Sequence, residues 1–276
     1  MRLGGPIDEK QDPAAWVAAI KRAGYRAAYC PLAPGADAAT IRAFAAAAAA
    51  ADIAIAEVGA WSNPLSPDAA ERAKALAKCK GCLALADQIG ACCCVNIAGS
   101  CGAKWDGPCP ADLTPATFDL IVASVREIID AVKPVRTFYT LETMPWMYPD
   151  STETYAALVA AIDRKAFAVH FDPVNLVNSP ERCFRNGDLI QEFIARLGPA
   201  IKSVHLKDIV LHDNLTVHLA EARPGTGALD YRTLLQKLAP LGSDLPIMLE
   251  HLRTAEEYQQ AADHVRSVAA GLSLCV

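Results

Sequence analysis

A chain of 276 residues suits one α/β barrel, whose usual size is about 250 residues, better than two smaller domains. Apolar residues make up 53% of it and its net charge is −5, so a large core is available and the basic face of a nucleic-acid binder is not expected. No apolar run reaches the roughly 18 residues of a membrane span, and Met1-Arg2-Leu3-Gly4-Gly5-Pro6 lacks the apolar core of a signal peptide. A cytoplasmic protein with no membrane partner is therefore expected.

Short β-like runs alternate with helical patterns from end to end, the mark of a parallel α/β fold. A first strand is expected over residues 2–5. Its helix has Asp12 as cap, Pro13 at the first helical position, and Trp16, Val17 and Ile20 on one face. The second strand falls at 26–30, with a helix over 37–50. The third falls at 53–58, followed by a turn-rich stretch at 61–67 and a helix from a Ser66-Pro67 cap to residue 88. The fourth strand is 92–97. A Gly/Pro-rich loop over 98–113 leads to a helix opened by Thr114-Pro115, in which Phe118, Ile121, Val122, Val125, Ile128 and Ile129 keep a helical period. The fifth strand is 137–142, with a helix capped by Ser151 and carrying Tyr155, Leu158, Val159 and Ile162. The sixth is 167–172, its helix covering 189–197 and ending at Gly198-Pro199. The seventh is 201–205, followed by a long loop to Gly227 and a helix over 231–238. The eighth is 247–250, before a helix opened by the capping box of Thr254 with Glu257.

Eight strand–helix pairs over residues 1–276 read as a single (β/α)₈ TIM barrel domain. A doubly wound sheet usually carries a Gly-rich phosphate loop after its first strand, and no G-x-G-x-x-G occurs here. The ten cysteines do not suggest a disulfide framework in a long, unexported chain with ample core residues. Cys92-Cys93-Cys94 belongs to a buried strand. Cys79 and Cys82 form a lone CxxC in a helix, and Cys101 and Cys109 flank a loop; none is assigned a role.

Catalytic groups of a barrel sit at the C-terminal ends of its strands. Strands five to eight end in Leu141-Glu142, Phe171-Asp172, Val204-His205 and Leu249-Glu250. Each polar residue alone is most simply a solvated loop residue, a turn initiator or a satisfied histidine. Their recurrence at equivalent places on four successive strands points instead to one divalent metal ion held by Glu142, Asp172, His205 and Glu250. Oxygen-rich ligation with one nitrogen suits Mn²⁺ first, then Mg²⁺ or Co²⁺, and Zn²⁺ least. Three carboxylates around a divalent ion leave a net negative site, which favours a neutral polyol over a phosphate dianion. Arg182, Arg185, Lys207 and Arg223 are available to offset that charge.

These residues also resemble a known family. Leu141-Glu142-Thr143, His170-Phe171-Asp172-Pro173-Val174-Asn175, Val204-His205-Leu206-Lys207-Asp208, Arg223-Pro224-Gly225-Thr226-Gly227 and Leu249-Glu250 are similar to motifs of the xylose-isomerase-like sugar isomerases and epimerases, the group of D-tagatose 3-epimerase. The resemblance is strongest over residues 137–252; the first half matches in architecture only. It implies a TIM barrel, a metal ion on the four matching positions, and a second role for Glu142 and Glu250 in moving protons. It implies substrate contacts near Lys207 and Arg223. Asn175 departs from the pattern, because epimerases often carry a sugar-touching histidine there.

The chemistry expected is metal-assisted removal of the proton next to the carbonyl of a sugar or other polyhydroxy ketone. With one glutamate removing a proton and another returning it, the outcome is epimerisation or isomerisation. Loss of a leaving group from the same intermediate would make a lyase or dehydratase. A metal phosphoesterase would need histidines from several strands, and none precedes His170. A non-catalytic sugar binder would not be expected to keep all four ligands. His170 shares strand parity with Asp172. It either orients a ligand from behind or is a core histidine with one hydrogen bond, the commoner case. Trp61, Trp105 and Trp146 either line a pocket for a sugar's apolar face or anchor their loops. His251 is expected to point away from Glu250 by strand alternation. A homo-oligomer is compatible with the sequence.

Overall fold

The computed structural model describes residues 1–276. Strands β1 (Arg2–Gly5), β2 (Ala27–Ala28), β3 (Ala54–Ile55), β4 (Glu57–Gly59), β5 (Cys93–Asn96), β6 (Tyr139–Glu142), β7 (Phe167–Phe171) and β8 (Ile201–Leu206) lie in one parallel sheet. A two-stranded ribbon of β9 (Asp208–His212) and β10 (His218–Ala222) follows, and β11 (Pro246–Leu249) completes the sheet between β8 and β1. The order is β3-β2-β1-β11-β8-β7-β6-β5-β4. β3 and β4 are halves of one stave parted at Ala56. There the Ala56 N–H donates to the Ala28 carbonyl at 2.9 Å and the Ala56 carbonyl accepts from Cys93 N–H at 3.3 Å, so the sheet closes on itself with eight staves.

The outer layer is α1 (Pro13–Arg22), α2 (Ala38–Ala50), α3 (Ala69–Ile89), α4 (Pro115–Val132), α5 (Thr152–Ile162), α6 (Pro180–Phe184), α7 (Asn186–Leu197), α8 (Tyr231–Leu238) and α9 (Ala255–Gly271). Their starts follow from local chemistry. Asp12, Asp37 and Ser151 accept first-turn N–H groups, and Thr254 with Glu257 makes the expected capping box. The third helix starts later than its Ser66-Pro67 signal suggested. Asp68 accepts from Ala70 and Glu71 N–H at 2.8 and 2.9 Å and is the stronger cap. The long loop after the seventh strand is not irregular: it holds the ribbon. No helix is long and apolar enough to cross a membrane.

The main core lies between helices and staves, where Trp16 meets Phe44 edge-on at 5.6 Å and Phe171 stacks on Phe193 at 4.1 Å. Each such buried side chain contributes roughly 1.5–3 kcal/mol. Inside the barrel space is scarce. A Cβ on Gly4 would lie 2.4 Å from the Ala27 carbonyl oxygen and 2.6 Å from the Met248 sulfur. Gly4→Ala is expected to cost about 1–3 kcal/mol through overpacking, read as a fall of roughly 2–10 °C in Tm. An unchanged Tm would show that the staves part easily at this end.

Candidate active site

The parallel register sets the ends of four neighbouring staves at one level. Glu142 ends β6, Asp172 follows β7, His205 lies near the end of β8, and Glu250 follows β11. One ligand atom from each lies within 4.8 Å of the others. His205 Nδ1 is 3.2 Å from Glu142 Oε1 and 3.1 Å from Glu250 Oε1. Asp172 Oδ1 accepts the Val174 N–H at 2.9 Å, which leaves Oδ2 facing the group. Thr143 ties the first two stave ends together, donating its hydroxyl to the Asp172 carbonyl at 2.8 Å while accepting the Asp172 N–H at 3.2 Å. From the helix layer, the Tyr155 hydroxyl bonds the carbonyls of Leu141 and Ala168 and accepts the His170 N–H.

Lys207 stands in the same cluster. Its buried ammonium is 2.6 Å from Asp172 Oδ2, 2.8 Å from Glu250 Oε1 and 2.9 Å from Glu221 Oε1. Its contacts with Asp172 Oδ2 and Glu250 Oε1 are ion pairs without hydrogen-bond geometry, so both buried oxygens lack a hydrogen-bonded donor. Orphaned oxygens of this kind are costly unless something else claims them. A divalent cation would satisfy both, and the donor set of three carboxylates and one imidazole fits it.

Behind the quartet lies a residue the sequence did not single out as part of the site. Glu57, fully buried on β4, places Oε1 3.0 Å from His205 Nε2 and Oε2 3.0 Å from His170 Nε2, and accepts the Ser203 hydroxyl at 2.9 Å. Glu57 thus accepts the Nε2–H of His205 and leaves Nδ1 to face the quartet, the arrangement by which a carboxylate fixes the tautomer of a ligand histidine. His170 is both core histidine and supporting residue: it hydrogen-bonds Glu57 and packs edge-on against the His205 ring, with centroids 4.2 Å apart.

Burial alone would raise the carboxyl pKa of Glu57, Glu142 and Glu250. His205, joined by His170 at Glu57 and by Lys207 at Glu142 and Glu250, offsets that burial through charge and hydrogen bonds together, and all three are held below the usual carboxylate range. Asp172 goes the other way. Burial pushes it up to about 7 despite Lys207, helped by the charges of Glu142 and Glu250. For His205, burial lowers the pKa but Glu250, Glu57 and Glu142 raise it well above the ordinary imidazole value. The field of the group is therefore one that gathers positive charge.

Glu142, His205 and Glu250 of the quartet open into a chamber of about 610 Å³, with Asp172 fully buried behind them. Trp61, Trp105 and Trp146 line it, with Tyr29, Asn175 and Lys207. Trp61 lies against Gly59, where a Cβ would come 2.3 Å from the indole nitrogen. Asn96 at the end of β5 holds the Trp61 loop through both the N–H and the carbonyl of Ser62. Trp146 donates its indole N–H to the Asp106 carbonyl at 3.0 Å, joining two rim loops. Asn175 donates to Glu142 Oε1 at 3.1 Å and accepts from Lys207 at 3.3 Å.

Two expectations change. His251 does not point away: its φ of +58° breaks the strand alternation, and its ring lines the chamber 2.9 Å from Glu221 Oε2. Arg223 is not brought to the chamber. Its guanidinium contacts the Pro224 carbonyl, and the Arg-Pro-Gly-Thr-Gly turn is held by Asp208, whose carboxylate accepts the N–H groups of Gly225, Gly227 and Leu229.

A family model described as xylose isomerase-like TIM barrel matches residues 17–268. None of the curated proteins matches the sequence. Among solved structures, D-psicose 3-epimerase from Clostridium cellulolyticum H10 superposes with a TM-score of 0.68 at 17% identity, over 97% of this chain and 99% of that one. The probable 3-DHS dehydratase AsbF from Bacillus anthracis gives 0.71 at 16% over 98% and 99%. Endonuclease IV from Thermus thermophilus gives 0.72 at 16% over 98% and 100%. At such identities the likeness is one of fold, shared by enzymes of three chemistries.

Proposed function

The chain belongs to the xylose isomerase-like TIM barrel family, and from that premise we propose that it is a divalent-metal-dependent isomerase or epimerase of a ketose or related polyhydroxy ketone. The observation that carries this reading is the buried group of Glu142, Asp172, His205 and Glu250, with two of its carboxylates opening on one chamber. Mn²⁺ suits the donor set best, with Mg²⁺ and Co²⁺ next. Such an ion, when bound, supplies the Lewis acidity that polarises a carbonyl and its neighbouring hydroxyl.

Glu142 and Glu250 come from staves on opposite sides of β7 and β8, and both face the chamber. One takes the proton from the carbon beside the carbonyl; the other returns it. Return to the same carbon from the other face epimerises, and return to the adjacent carbon isomerises. Lys207 holds the negative charge that builds on the substrate oxygen. Asn175 keeps Glu142 in orientation through its amide. The tryptophans exclude water and offer their faces to the C–H side of a sugar.

Elimination is the second reading, favoured by the pair of His251 and Glu221. The hydrogen bond that Glu221 accepts from His251 raises the His251 pKa, which places a proton donor at the chamber wall for a leaving hydroxyl. The family's phosphoesterase chemistry is disfavoured, because only His170, His205 and His251 approach the chamber, and His170 is committed to Glu57.

The test is metal analysis of the purified protein, followed by deuterium wash-in on a panel of ketoses with released leaving group assayed in parallel. One divalent ion per chain and metal-dependent exchange on at least one ketose are expected. Phosphodiester hydrolysis with no exchange on any ketose would sink the reading.

A further inference from the structure

The chamber does not end at the quartet. A second cavity of about 580 Å³ adjoins it, and Pro145, Trp146, Asn175 and Glu221 line both. One wall of this groove is the ribbon. Residues directly opposite in an antiparallel pair share a face, and Ile209 pairs with Glu221 while Leu211 pairs with Leu219. The period of two along a strand extends that face past Leu219 toward Val217. Ile209, Val217, Leu219 and Glu221 all line the groove.

Along this face polarity falls with distance from the quartet. Glu221 is 2.9 Å from both Lys207 Nζ and His251 Nδ1. Leu219 comes two residues further out, then Val217, which is 51% exposed. Val174 and Val177 supply further apolar surface, and Trp146, 38% exposed, stands between groove and chamber. Each cavity alone falls in the range of about 300–1,000 Å³ typical of a small-molecule site. A bare ketose engaging the quartet would occupy the first and leave an apolar groove beside it wet.

We propose that the groove is a subsite for an apolar substituent, aromatic or branched alkyl, carried by the polyhydroxy ketone that the quartet engages. This inference rests on the reading of the chamber given above. The shared wall makes the two cavities one path, and the graded ribbon face matches a molecule polar at one end and apolar at the other.

The test uses ketohexose ethers bearing either a methyl or a benzyl group at O1 or O6, offered to the metal-loaded protein. Binding is read by calorimetry and turnover by deuterium exchange. At one of the two positions the benzyl ether is expected to bind on the order of 10–100-fold tighter than the methyl ether. Val217→Glu places a charge in the wall and Leu219→Ser removes apolar surface from it; each should bring the ratio close to one. Binding of the methyl ether with no gain from benzyl, or a gain that survives in both variants, overturns the subsite alone. If neither ether binds or exchanges, the reading of the chamber fails and takes the subsite with it. A dimer seen by sedimentation in the parent and lost in Val217→Glu would assign the groove to a second copy of the chain, and would equally overturn the inference.

Discussion

Glu250→Gln should lower turnover by about 10²–10⁴ while the protein still holds metal, and Glu142→Gln should do the same. The amide keeps one oxygen donor of similar shape but loses the basicity that proton abstraction needs. Neither change disturbs the core, because both side chains end at the chamber. Glu250 does leave partners behind: Oε1 is 3.1 Å from His205 Nδ1 and 2.8 Å from Lys207 Nζ. Some loss of metal affinity should therefore accompany the loss of rate. Under epimerisation, one of the two variants exchanges the substrate proton with solvent deuterium and forms no product. That outcome would separate the group that removes the proton from the group that returns it. Full activity in either variant, with metal content measured in the same sample, would remove the two-base mechanism.

Glu57→Ala is expected to cost about 3–5 kcal/mol of stability, because it strands the Nε2 atoms of two buried imidazoles and the Ser203 hydroxyl, for which Glu57 is the sole hydrogen-bond partner. It should also weaken metal binding roughly 10–100-fold, since nothing then fixes which nitrogen of His205 carries the proton. Glu57→Gln retains one acceptor oxygen and should restore part of both. Denaturation midpoints with and without Mn²⁺, together with the metal Kd, check this. A Glu57→Ala protein with the parent's midpoint and Kd would show that Glu142 and Glu250 orient His205 unaided.

The quartet was legible because its members sit at strand ends, where sequence position and spatial position coincide. Glu142, Asp172, His205 and Glu250 each follow a short apolar run, and the parallel register does the rest. Glu57 was not legible as a partner. It lies in a stave divided at Ala56, and what it meets depends on packing across the barrel interior, from residues more than a hundred positions away. His251 was misjudged for a local reason: the alternation rule holds only while the chain stays extended, and β11 ends at Leu249. The ribbon did leave a trace. Ile209-Val210-Leu211 is a short apolar run and Val217 and Leu219 flank His218, with Asp213-Asn214 between the two as turn residues. The resemblance to family motifs drew attention to Arg223 in its Gly-containing turn, yet that turn serves Asp208 and leaves the guanidinium outside the chamber.

Tyr155 belongs to the outer ring of helices, and its ring contacts Phe167 and Phe193 there. Its hydroxyl nevertheless reaches the backbone of both β6 and β7, the two strands that deliver Glu142 and Asp172. The gap between those two carboxylates is thereby set partly from outside the barrel. A shift of α5 under heat, or under mutation of its packing face, would be transmitted as a change in bite between two donors rather than absorbed as general softening. Directed evolution of this protein should thus find mutations that alter catalysis in a layer that never meets the substrate.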